Sequence, residues 1–284
     1  MGILLSILHQ GLIFSLVATG VFVTSRVIKR DDLSVEGTFG LGGAVTAWLL
    51  ALGMHPLLVL VAAVLSGAVL GGVTGLLYTR FYMNYLMAGL VTTTACFSIN
   101  LSLASANKIV EHHATLFSLT SFLGEQTSQT VWLVFFSVAA IFLAKRFFVT
   151  EMGLLMRAAG ENPDLLTRLA KPKGRYQTGA FVLANGLTAL AGCLFVQWSG
   201  FFSITGSVGT LVTGLASLMI AELILPRLLV LTMIAASILY QTVFAVTIAI
   251  GVPPVWNNLV KALIIVLLVI ISVKMKATNR NRHA

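Results

Sequence analysis

Pro56-Leu-Leu-Val-Leu-Val-Ala-Ala-Val-Leu-Ser-Gly-Ala-Val-Leu-Gly-Gly-Val-Thr-Gly-Leu-Leu-Tyr-Thr79 runs without a charged side chain for longer than the ~20 residues a helix needs to cross a bilayer. The rest of the chain repeats that pattern. Of its 284 residues 58% are hydrophobic and only 10% charged, against about 25% charged in a soluble domain, and the mean hydropathy is +0.98. No soluble fold of this size has interior enough for that apolar surface, so lipid is the solvent for much of it. The same length criterion divides the chain into about nine segments, 3–24, 33–53, 56–79, 85–105, 129–149, 176–199, 203–224, 227–250 and 255–273. The expectation is an all-α, polytopic membrane protein. Segments 33–53 and 203–224 are rich in glycine and are expected to be broken or only partly membrane-crossing.

Nine crossings put the termini on opposite sides, and the basic residues set the direction. With the N-terminus outside, Arg26, Lys29, Arg30, Arg80, Lys145, Arg146, Arg157, Arg168, Lys171, Lys173, Arg175, Arg227, Lys274, Lys276, Arg280 and Arg282 are cytoplasmic, leaving Lys108 and Lys261 at or near the outer face. Trp48, Trp132, Trp198 and Trp256 then fall at outer span ends, where an amphipathic ring prefers to sit. The net charge of +9 is therefore a topology signal and not a nucleic-acid patch. Residues 1–24 read as a retained first span, because the positive charges follow the apolar run. Cys96 and Cys193 lie inside apolar runs without the spacing of a disulfide framework or metal site.

The stretch Ser34-Val-Glu-Gly37-Thr-Phe-Gly40 recurs as Ser203-Ile-Thr-Gly206-Ser-Val-Gly209. In this topology the first copy enters from the cytoplasm and the second from outside, as in an inverted repeat. Glycine-interrupted segments at matching places in two halves point to a translocation path near the midplane. Chance similarity between small-residue helices is the plain alternative. Span four is polar along its length at Thr92, Thr93, Thr94, Ser98 and Asn100, and Asn185 does the same for span six. These side chains either line a narrow passage or bond back to their own helices and neighbours. The candidate path is Ser34, Gly37, Gly40, Thr92, Thr93, Asn100, Asn185, Ser203, Gly206 and Gly209.

Between spans five and six lies the longest polar segment, residues 150–175. Asn162 is a helix N-cap, Pro163 suits the first helical position and Asp164 the first turn. Leu165, Leu166 and Leu169 are expected to project from one side of the short helix, ringed by Arg168, Lys171 and Lys173. An apolar knob inside positive charge suits a partner protein or, equally, anionic lipid.

Here the chain resembles a family. Glu151-Met-Gly-Leu-Leu-Met-Arg157-Ala-Ala-Gly160-Glu-Asn162-Pro163, followed by Ala184-Asn185-Gly186-Leu187-Thr-Ala-Leu-Ala-Gly192, is similar to the coupling-loop signature of ABC importer permeases of the branched-chain amino acid and ribose type. Residues 31–39, 209–217, 237–240 and 251–254 resemble most the subgroup linked to tryptophan, tyrosine or related substrates. The resemblance covers nearly the whole chain in order. It implies one permease domain, 1–284, with a first half 1–149, a cytoplasmic coupling loop 150–175 and a second half 176–284. It also implies a bacterial inner-membrane location, a homodimer, a cytoplasmic ATPase and an extracytoplasmic solute-binding protein. The coupling residues would be Arg157, Gly160, Asn162, Pro163, Asp164, Leu165, Leu166, Arg168 and Leu169. Two departures stand out. Ala170 replaces the glycine that ends the helix in the family, so the helix is expected to run longer. After Pro253-Pro254 the chain reads Val-Trp-Asn-Asn in place of acidic and lysine residues, with Lys261 nearby, which points to a different outer contact or substrate.

No glycine is followed directly by lysine, so the phosphate-cradling loop is missing and any ATP is hydrolysed by another chain. His112 and His113, after Glu111, read as solvated loop residues, since a metal needs three or four fixed ligands. Glu222 reads as the only carboxylate well inside a span, near enough to Arg227 or the headgroups for a structural pairing. The expectation is a permease subunit with no cofactor and no bond-making chemistry, translocating a small solute such as an amino acid. The alternative is an ion-gradient-driven secondary transporter or channel, which needs an intramembrane ion or proton site.

Overall fold

The computed structural model of the chain describes residues 2–110, 113–224, 229–251, 253 and 256–282. Arg227, Glu111 and His112 lie outside them, and with them the expected Glu222–Arg227 pairing and most of the outer histidine loop.

The uncharged run from Pro56 forms α3, Pro56–Thr79, with the His55 ring accepting from the Leu57 amide and Pro56 in its first turn. Before it come α1, Gly2–Phe22, which continues as a turn of π-helix over Val23–Val27, and α2, Ser34–Ala51. After it come α4, Tyr85–Ala104, and α5, Glu125–Phe147. The loop 150–175 folds as two short helices, α6, Glu151–Glu161, and α7, Pro163–Arg168. The second half holds α8, Lys173–Ser199, α9, Thr210–Ile224, α10, Leu229–Ala249, and α11, Asn257–Arg282.

Among the described residues, six helical stretches are long and apolar enough to cross a membrane: Gly2–Val27, α3, α4, α5, α8, and Ile204–Ile224 with α9 inside it. The other three expected segments are α2, α10 and α11. Their difference has a physical origin. α2 is buried on almost every side, so packing against protein, not contact with lipid, selects its glycines and threonines. In α10 and α11 the apolar stretches among the described residues are shorter, Thr232–Thr247 and Asn257–Ile270. Among the described residues, length and composition alone thus single out six of the nine expected segments as candidate crossings.

The two glycine-rich segments behave differently. α2 is continuous from Ser34 to Ala51, contrary to the expected break. The second segment is broken: an extended piece, Phe201–Ser203 (β2), gives way to a 3-10 turn, Ile204–Ser207, and α9 starts only after Gly209, whose φ is +79°. β2 pairs antiparallel with β1, Asn107–Ile109, a small ribbon that the all-α expectation does not contain.

α8 is the hub of the first half, packing on α2 and α3, while α1 packs on α9, α10 and α8. Close approach depends on missing side chains. A carbon added to Gly192 would lie 2.0 Å from the Phe39 carbonyl oxygen, and one on Gly42 would lie 2.1 Å from that of Ala189, so α2 and α8 touch backbone to backbone. Large apolar side chains such as Leu65, Leu90, Phe142, Val246 and Leu267 cover the outside of α3, α4, α5, α10 and α11, as a lipid-facing surface requires.

Candidate functional site

Three neighbouring regions carry the polar groups. The first is the α6–α7 pair. Thr150 caps α6 by accepting from the Gly153 amide, and Asn162 caps α7 by accepting from the Leu165 amide at 3.3 Å. α6 buries Gly153, Met156 and Ala159. It lies on the π-helical turn of α1: a side-chain carbon on Gly160 would stand 2.2 Å from the Val27 carbonyl oxygen. The Gln177 amide of α8 reaches the Ala159 carbonyl, and Arg157 lies over the Phe148 ring.

The expected leucine knob is corrected. Leu166 is fully buried, in one cluster with Val27, Ile28, Met156, Ala159 and Tyr176, whereas Leu165 and Leu169 are 43% and 53% exposed. Leu166 is therefore the foot of α7, and the free apolar surface is Leu165 with Leu169. The helix does not run longer at Ala170 either. Ala170 takes φ +53°, its amide donates to the Thr167 carbonyl and that of Lys171 to the Leu166 carbonyl, a full Schellman ending without its usual glycine. Backbone geometry stops the helix whatever residue stands there.

The second region is the base of α2. Asp32, 1% exposed in the turn before the helix, accepts from the Ser34 amide at 2.8 Å, the Ser34 hydroxyl at 2.6 Å and the Asn185 side-chain amide at 2.8 Å. The Asn185 oxygen accepts from Thr38 at 2.7 Å and Ser34 at 3.1 Å. Burial pushes the Asp32 carboxyl above the usual carboxylate range, against the opposing pull of the hydrogen bonds from Ser34 and Asn185. Asn185 is mid-helix in α8, so α2 begins inside the protein and not at its surface. Sequence reasoning singled out Ser34 and Asn185 but missed Asp32. The signal was an acid two residues before a serine at a helix start.

The third region is the broken end of α9. The Gly209 amide donates to Glu36 of α2 at 2.9 Å. Gly40 faces Ser207 and the side-chain amide of Asn100, which donates to the Gly37 carbonyl at 3.3 Å. The Asn100 oxygen is buried without a hydrogen-bond partner. A cavity of about 90 Å³ lies at this seam, walled by Phe39, Phe195, Phe201 and Phe202 and edged by Gly40, Ser203, Gly206 and Ser207.

The structure brings most of the expected path residues to these two regions. Ser34 and Asn185 share the α2 base, and Gly37, Gly40, Asn100, Ser203, Gly206 and Gly209 meet at the seam. Thr92 does not join them: it pairs with Thr74 between α3 and α4 at 2.9 Å. Thr93 donates to the Leu33 carbonyl and braces the turn before α2. Glu222, read as the only carboxylate deep in a span, is not alone, since Asp32 and Glu36 lie in or beside α2. It pairs with Arg26 of the π-helical turn. At the opposite end of α1, His9 accepts from the Trp198 indole at 3.0 Å and bonds Thr130 at 2.8 Å, tying α1, α5 and α8 together. Among the described residues no group of three metal-ligating side chains gathers.

Comparison with known proteins gives a consistent result. A family described as branched-chain amino acid transport system / permease component matches residues 3–269. A tyrosine transport system permease protein of Clostridioides difficile (strain R20291) is 27% identical over 97% of this chain and 94% of its own length. An uncharacterized protein of Rickettsia prowazekii (strain Madrid E) is 30% identical over 78% of each chain. A ribose import permease protein of Haemophilus influenzae is 26% identical over 67% of this chain and 59% of its own. No solved structure matches the chain significantly.

Proposed function

Because the chain belongs to the branched-chain amino acid transport system permease family, we propose that it passes an amino acid or related small solute along the seam between α2, α8 and the broken end of α9, and that α6–α7 receives the stroke of a separate ATPase. The chain is a permease subunit of an ABC importer, a multi-pass inner-membrane protein and not an enzyme. Membership implies two partners, an ATPase and a solute-binding protein.

The observation that carries the coupling role is the seat of α6–α7. Leu165 and Leu169 are free to dock, while Leu166 is buried where α7 packs on α6 and α8 and Gly160 is wedged against the π-helical turn of α1. A few residues on, the same chain reaches Asp32, whose bond to Asn185 sets the base of α2. A push on α7 thus has a short, packed route to the helix that walls the seam.

The inverted repeat is proposed for α1–α4 and α8–α11. Its support is reciprocal packing: α8 lies on α2 and α3 as α1 lies on α9 and α10, and α4 meets α2 as α11 meets α9. Nine crossings with the N-terminus outside place α6–α7 and the basic residues around it in the cytoplasm. A second copy of the chain, giving a homodimer, is proposed against α4, where Thr94, Ser98 and Ser102 interrupt an exposed apolar face; lipid covers the rest. Four phenylalanine walls and only serine hydroxyls at the seam favour a solute with an apolar or aromatic side over a sugar, in keeping with the name of the Clostridioides relative.

The test is Leu165→Asp with Leu169→Asp. ATPase co-purification is expected to be lost while the membrane fold, read by thermal unfolding, is kept. Unchanged association would count against the coupling role.

A further inference from the structure

α2 and α9 both start inside the protein, and each start meets a carboxylate. Asp32 takes the first amide of α2 within its own turn. α9 has no such residue of its own. Its start is satisfied from another helix: Glu36 of α2 accepts from the Gly209 amide at 2.9 Å. The site around Gly209 is also occupied from a third direction. A side-chain carbon on Gly209 would stand 3.4 Å from both the Lys261 ammonium nitrogen and the Asn258 side-chain oxygen of α11. Lys261 is half-buried; it makes no direct ion pair with Glu36 but stands at the same Gly209, and its ammonium lies over the Phe244 ring of α10.

This arrangement is unusual in cost. A carboxylate and an ammonium are held among apolar helices, where neither is retained without a partner. Each finds one here: the carboxylate has the positive end of a helix and the ammonium has a ring face, and both charges stand at Gly209. Four helices, α2, α9, α10 and α11, are joined through this one polar set. Phe202 and Ile204 are buried and β2 is paired with β1, whereas Thr205, Gly206 and Val208 are exposed. The polar set therefore holds the part of the break that apolar packing leaves free.

We propose that Glu36 and Lys261 are positioning residues for transport, a charged latch that pins the free end of α9 against α2 and must release it for the seam to open. The transport role rests on the permease reading above; the latch itself does not. With Glu36 in place, the Gly209 amide is held on α2, where Gly40 also faces Ser207. When Glu36 leaves, that amide loses its acceptor, so the 204–209 turn is freed. Lys261 at Gly209 keeps the latch specific for an anion: a neutral acceptor satisfies the amide but leaves the ammonium without a nearby opposite charge.

Amide hydrogen exchange on the full-length protein in lipid nanodiscs tests the latch without a substrate, an ATPase or a binding protein. Glu36→Ala is expected to speed exchange at residues 209–213 by about tenfold or more, the loss of a charge-assisted acceptor, with amides of α3 and α8 unchanged. Glu36→Gln should produce a smaller increase, and Lys261→Met an increase that Glu36→Gln does not add to. Sodium formate added to Glu36→Ala should restore protection saturably, where the same ionic strength of sodium chloride does not. Unchanged exchange in Glu36→Ala, or protection restored equally by both salts, overturns the latch. If Glu36→Ala loosens the whole bundle, the Asn258→Ala and Lys261→Met proteins, with Glu36 intact, decide the matter by the same local readout. In reconstituted importer, a functioning latch predicts that Glu36→Gln raises ATP hydrolysed per tyrosine transported; an unaltered ratio with altered exchange would retain the latch and reject its part in transport.

Discussion

The heptads Ser34–Gly40, which opens α2, and Ser203–Gly209, which leads into α9, share their serine and both glycines, yet the two helix starts differ in how they are held. The Ser34 start is continuous helix, with Asp32, Ser34, Thr38 and Asn185 sharing one closed hydrogen-bond network that solvent does not reach. The Ser203 start is an extended strand, a 3-10 turn and a left-handed Gly209, with Gly206 exposed and its acceptor supplied by Glu36 from elsewhere. One is a fixed anchor beside the coupling helices. The other is a seam whose closure depends on groups that can separate. Similar sequence therefore makes a lever's fulcrum in one place and its moving end in the other, because burial and local capping differ.

The comparison breaks most visibly at the anchor. Asp32→Ala leaves the Ser34 amide without an acceptor in a buried site, at about 1–3 kcal/mol, and takes one of two acceptors from the Ser34 hydroxyl and from the Asn185 amide, so the thermal midpoint should fall further than for any of the glycine or loop substitutions. Asp32→Asn should lose less, since burial already favours the uncharged carboxyl; equal losses would show that the charge and not the hydrogen bonding matters. Next in size is Gly192→Val. Its side chain has no room against the Phe39 carbonyl, and separation of α2 from α8 should cost about 2 kcal/mol or more by strain, read as the same thermal shift.

Much of this architecture was legible in residues 56–79 and their like, because crossing a bilayer imposes length and apolarity on each helix separately. The α7 caps were legible for the same reason: Asn162, Pro163 and Asp164 act within one turn. What was hidden depends on neighbours far along the chain. Leu166 looks like its neighbours Leu165 and Leu169, and only the packing of α7 on α6 and α8 turns it inward. Glu222 finds Arg26, 196 residues away, a partner that nearness in sequence could not suggest. Glu36, a charge in a glycine-rich segment, was passed over because its partner is a backbone amide at the start of another helix. The glycine count flagged both broken-helix candidates but not which would stay whole, since that depends on whether the cap is local.

Smaller effects sharpen the contrast at the seam and at the loop. Gly206→Ala, where an added carbon meets nothing nearer than Ser203 at 3.8 Å, should leave unfolding unchanged within about 0.5 kcal/mol, in contrast to Gly192→Val. Ala170→Gly relieves a left-handed alanine at the end of α7 and should stabilise the loop by about 1 kcal/mol, seen as slower proteolysis between α6 and α8 with thermal unfolding of the bundle unaltered.

The most direct measurement is sided labelling of two introduced cysteines in intact membrane vesicles of both orientations, with the native Cys96 and Cys193 buried and silent. Leu165→Cys should react with an impermeant maleimide only from the cytoplasmic side, and Gly206→Cys only from the opposite side. Labelling of position 165 from the exterior, or of both positions from one side, would contradict the placement of the ATPase dock and the solute seam at opposite ends of the same lever.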